Sequence, residues 1–140
     1  MVSMHIAYDG QKKSTATHDD SGARLVTDAP KDIGGSGSSF SPTDLVATAL
    51  ATCIVTTMAM FGERHEVDLT DTKIHVTKEM STETPRRIGK LTTTVTIPSG
   101  RIPTDQRALF ERVGHSCPVY QSLHPDIETP LVFIYEDEPL

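Results

Sequence analysis

Residues 41–61 read SPTDLVATALATCIVTTMAMF, and no side chain between Asp44 and Glu63 carries a charge. Ser41 suits a helix N-cap, Pro42 suits the first helical position, and Asp44 stands three residues after the cap, where a capping-box acid belongs. The pattern continues through Leu45, Val46, Ala49, Leu50, Cys53, Ile54, Met58, Met60 and Phe61, until Gly62 or the charged ERHE ends it. Small and apolar residues cover most of the circumference. A helix of this kind needs cover on more than one side, inside a domain or at an interface. The rest of the chain must supply that cover.

The flanking segments read as sheet. MHIAY, STATH and RLVTD are short strands separated by the turn-forming pieces DGQKK and DDSGA. IGGSGSSF follows without periodicity, as a mobile or tightly turning connection. Beyond the helix, TKIHVTKEM alternates Ile74, Val76 and Lys78 against Lys73, His75 and Thr77. RIGKLTTTVTIP sets Leu91, Thr93, Val95 and Ile97 on one face, and STETPRR joins the two strands as a hairpin. TDQRALFERV predicts a second helix over 104–113 with Ala108, Leu109, Phe110 and Val113 as its apolar stripe. Gly114 ends it, Cys117-Pro118 opens a short third helix, and LVFIYE makes a last strand. The order β-β-β-α-β-β-α-α-β predicts an α+β fold with helices packed on antiparallel sheet. The 140 residues suit one domain, 1–140, able to bury about two thirds of its unfolded surface.

Charge and thiol count narrow the chemistry. The net charge is −6 and no Lys/Arg stripe appears, so neither nucleic acid nor an anionic membrane is an expected partner. No uninterrupted apolar run reaches about 18 residues, and MVSMHIAYDG lacks the blocks of a secretion signal, so a cytoplasmic protein without a spanning helix is expected. Two cysteines in a reducing compartment are rarely a structural disulfide. They are either inert buried thiols or redox groups. The core is modest, with 36% hydrophobic residues and no Trp, which leaves room for subunit association.

A free thiol has a pKa near ~8.5 and needs help to react at neutral pH. Cys117 precedes Pro118 at a helix mouth, where unpaired N–H groups favour an anion by about 0.3–1 kcal/mol. Cys53 lies in mid-helix, where neighbouring N–H groups are already bonded and burial would raise its pKa. On these local grounds Cys117 is the more acidic thiol, and Cys53 needs a cation from elsewhere in the fold. The bland reading of each is a small core residue. A metal site from His115, Cys117 and His124 has a spacing that matches no common zinc arrangement. No Gly-x-Ser-x-Gly elbow occurs, and GGSGS lacks the Gly-Lys-Ser/Thr ending of a phosphate loop. Neither metal nor cofactor is expected.

SPTDLVATALATC, followed far downstream by HSCPVYQSL, resembles the OsmC/Ohr family of thiol-dependent hydroperoxide reductases. The likeness covers nearly the whole chain in order and spacing. It implies an OsmC-like fold, with sheets around long central helices, and an intertwined homodimer with active sites at the subunit interface. It also implies that Cys53 is the peroxidatic thiol and Cys117 the resolving one, with a hydroperoxide as substrate. An external dithiol such as a dihydrolipoyl group would restore both thiols. The chain departs from the family at the activating pair, an Arg on the N-terminal strands held by a Glu after the Pro of the helix start. Thr43 stands after Pro42, and Asp44 falls on the helix face opposite Cys53, where capping is its expected role. Arg24 is closer to Cys53 in sequence than the family's Arg, and Gln11, Lys12 and Lys13 stand nearer that place. His115 is an alternative cation. The non-enzymatic alternative is a stress-related binding module that holds a small hydrophobic ligand at the dimer interface, with passive thiols.

Overall fold

The computed structural model describes residues 1–136, and the chain divides into two compact units, Met1–Val46 and Ala47–Leu140. The first is built on a meander of β1 (Met4–Gly10), β2 (Lys13–His18) and β3 (Arg24–Asp28), antiparallel throughout. Gly10, Gln11 and Lys12 all take positive φ at the first hairpin, the handedness that suits the twist of the strands it joins. Lys12 N–H donates to the Tyr8 hydroxyl at 3.1 Å.

The Gly/Ser segment after β3 is the tightly turning connection. Asp28, almost wholly buried, accepts from the Ser36 hydroxyl, from Ser38 N–H at 3.0 Å and from the Ser38 hydroxyl at 2.7 Å. Those donors, Ser36 first, hold its carboxyl well below the usual carboxylate range. A Cβ on Gly35 would lie 1.8 Å from the Ala29 carbonyl oxygen, so only glycine fits there.

Helix α1 (Pro42–Glu63) starts with the expected capping box: Asp44 N–H donates to Ser41 Oγ at 3.1 Å, and Ser41 N–H donates to Asp44 Oδ2 at 2.8 Å. Within the second unit its buried stripe is Ala47, Leu50, Ala51, Ile54, Met58 and Gly62, a three-and-four spacing. By length and composition alone this helix is apolar enough to cross a bilayer. A core helix passes the same test, so this is weak evidence of a span. Threonines break the run in sequence without making the helix polar overall.

Strands β4 (Lys73–Met80) and β5 (Ile88–Ile97) form the expected antiparallel hairpin. Leu91, Thr93, Val95 and Ile97 of β5 face the core, and with Leu50, Met58 and Phe110 they are fully buried. β6 (Leu131–Tyr135) lies on the far side of β5 and runs parallel to it. This departs from an all-antiparallel sheet. The long connection from β5 to β6 carries α2 (Arg107–Gly114) and α3 (Pro118–Ser122), and a crossover of that length can return the chain in the same direction.

Helix α2 also departs from its expected stripe. Thr104–Gln106 forms a 3-10 turn ahead of it. Phe110 is buried, but Ala108 and Leu109 face out and Arg107 turns in, with its guanidinium 3.9 Å from the centre of the Tyr135 ring. A cation over an aromatic face can be buried at a position that an apolar count marks as solvent-facing. At the end of α2, a Cβ on Gly114 would sit 3.0 Å from Met58 Sδ, so glycine permits the close approach to α1.

Candidate active site

Both cysteines are free thiols in the second unit. Cys53 lies on the third turn of α1, just before the buried Ile54, and is half-buried. Its Sγ is 3.9 Å from the Thr57 hydroxyl, one turn further on. Cys117 is fully buried and is the N-cap of α3, with extended backbone ahead of Pro118. Its Sγ accepts from Tyr120 N–H at 3.4 Å, as a Ser or Thr oxygen does at other helix starts.

The Cys53 side chain lies near enough to Cys117 to influence its thiol. Burial is the largest influence and pushes the Cys117 thiol up from its ordinary value; the Cys53 thiol pushes the same way. The Tyr120 and Val119 amides pull it down by less. The local expectation that the helix mouth lowers the Cys117 value is thus corrected in direction. The helix end does contribute, but desolvation of a fully buried sulfur exceeds it. The two residues differ in burial: Cys53 is partly exposed, and Cys117 is fully buried with its thiol raised.

Asp44 is engaged in the α1 cap, and Thr43 Oγ1 lies 3.3 Å from Ser41 Oγ. His115 is exposed, with its ring edge-on to Phe133 at 6.2 Å. His124 Nδ1 accepts from Asp126 N–H at 3.0 Å. Among the described residues, no three His, Cys, Asp or Glu side chains group as metal ligands. Arg24 opens β3, Gln11 and Lys12 form the β1–β2 turn, and Lys13 opens β2, all in the first unit. Thr57 was not singled out from the sequence, although its spacing of four from Cys53 on a helix was the available signal.

Two neighbouring thiols, one reachable and one buried, can lose two electrons together and form a disulfide. Residues 35–131 match the family model described as OsmC-like protein. A proposed osmotic stress induced and detoxification response protein of Psychrobacter arcticus 273-4 is 34% identical. That similarity spans 95% of this chain and 96% of the other, with a TM-score of 0.89. The organic hydroperoxide resistance protein OsmC of Legionella pneumophila shares the fold at 15% identity, with a TM-score of 0.73 over 96% of each chain. An OsmC-like protein of Mycoplasma pneumoniae does so at 16% identity and a TM-score of 0.77, again over 96% of each chain. No curated protein matches the chain.

Proposed function

The chain belongs to the OsmC family, and from that premise we propose that it is a peroxidase that reduces organic hydroperoxides through Cys53 and Cys117. What supports this reading is the pairing of a partly buried Cys53 with a fully buried Cys117 whose thiol it influences. The hydroperoxide resistance named for the Legionella pneumophila relative supports the choice of substrate.

In the proposed cycle the Cys53 thiolate attacks one oxygen of the hydroperoxide. An S–O bond forms, the O–O bond breaks, and the electron pair leaves with the alkoxide, which takes a proton and departs as alcohol. Hydrogen peroxide would yield water by the same step. Cys53 is then a sulfenic acid. Cys117 attacks the Cys53 sulfur, the S–O bond breaks, and hydroxide leaves as water with the Cys117 proton. Cys117 must give up its proton to attack, and that proton leaves with the hydroxide as water. An external dithiol such as a dihydrolipoyl group then returns two electrons by two exchanges, ending as its own disulfide. The active species in this reading is a homodimer. Met4, Ile6 and Tyr8 alternate along β1 and share a face with Leu25, all exposed, and Met60 is exposed on α1. Apolar side chains in such number are commonly covered by a partner.

About one equivalent of cumene hydroperoxide should remove both free thiols and create a Cys53–Cys117 disulfide, read by non-reducing peptide mapping. Cys53→Ser should abolish turnover with a dithiol, and Cys117→Ser should stop at a sulfenic acid that dimedone traps. Survival of both thiols, with turnover by Cys53→Ser at the wild-type rate, would reject the peroxidase in favour of a binding module with passive thiols.

A further inference from the structure

We propose that Thr57 is a positioning residue for the Cys53 sulfur, its hydroxyl donating a hydrogen bond to the thiolate. This rests on the reading of Cys53 as the attacking thiol. Residues four apart on a helix face one another, and the Thr57 hydroxyl lies 3.9 Å from Cys53 Sγ. A helical threonine has two favoured rotamers because its hydroxyl can turn back onto the preceding turn's carbonyl groups. Thr52, in the same helix, does so: its hydroxyl donates to Thr48 O at 2.8 Å, with Ala49 O at 3.2 Å. Thr57 has the sulfur as its hydrogen-bond partner instead.

The protonation state fixes the direction of that bond. In the thiol form either atom can donate, but a thiolate only accepts, so on ionisation the hydroxyl must donate. Cys53 lies in mid-helix, where backbone N–H groups are committed to the helix ladder and none can turn to its sulfur. Cys117 differs, since its sulfur takes the Tyr120 amide. The Thr57 hydroxyl does for Cys53 what that amide does for Cys117. At 3.9 Å the bond is long, so its effect is moderate.

The test is the rate of Cys53 alkylation by iodoacetamide, read peptide by peptide by mass spectrometry across a pH series. Wild type, Thr57→Val and Thr57→Ser are compared, with melting curves to verify folding. Thr57→Val keeps the volume and removes the donor. It should slow Cys53 alkylation roughly two- to tenfold at neutral pH, and the difference should close in alkali, where the thiol is ionised in both chains. Thr57→Ser should restore the wild-type profile. Wild-type rates in Thr57→Val at every pH overturn the proposal. So does a loss that serine fails to recover, which would assign the effect to the methyl group's packing. So does a native wild-type Cys53 that never alkylates. No peroxide enters these assays, so failure of the peroxidase reading and failure of the Thr57 proposal give different results.

Discussion

At Cys117 two influences oppose each other: burial and the Cys53 neighbour raise the proton affinity, and the Tyr120 and Val119 amides lower it. Because the folded value is raised above the unfolded one, the reduced folded chain binds this proton more tightly than the unfolded chain does. The associated stability is complete below the ordinary thiol range, near ~8.5, and is lost as pH rises through the folded value. Denaturant titrations of reduced wild type and Cys117→Ser should therefore diverge in alkali, with wild type losing stability more steeply. Parallel curves would contradict the raised value. Both cysteines were legible in the sequence as a candidate pair, but the upward direction of the Cys117 value was not. A helix mouth can be read from Cys117-Pro118, whereas complete burial of that sulfur comes from the packing of the whole second unit.

Helix starts are local chemistry, and they were the most legible elements. Ser41-Pro42 and Cys117-Pro118 follow the same arithmetic, with the cap atom accepting an N–H three residues on, from Asp44 in one case and Tyr120 in the other. A sulfur thus occupies the place of a serine oxygen. Cys117→Ser should keep α3 capped while removing the thiol, and Cys117→Ala should lose both. The alanine chain should be less stable than the serine chain by about 0.5–2 kcal/mol in thermal unfolding at neutral pH. Equal stabilities would mean that the sulfur does not cap. The strands of the β4–β5 hairpin were equally legible, because alternation in β5 records one buried face. Two features were not. The parallel pairing of β6 depends on the path of the chain through α2 and α3, which no residue pattern encodes. The inward turn of Arg107 depends on Tyr135, a partner on another strand.

On the scale of the molecule, family membership rests on likeness along nearly the entire chain, while the proposed chemistry rests on two thiols, one of which influences the other. Asp44 takes the capping role expected of it. Only about a third of the most apolar 18-residue window of α1 is buried within a single copy of the chain. If a second copy covers the remainder, folding becomes a reaction of two molecules, and its equilibrium obeys mass action. The melting temperature should then climb as protein concentration rises, without any ligand. A melting temperature independent of dilution, with a monomer mass by light scattering, would mean that one copy tolerates its greasiest helix half bare in water.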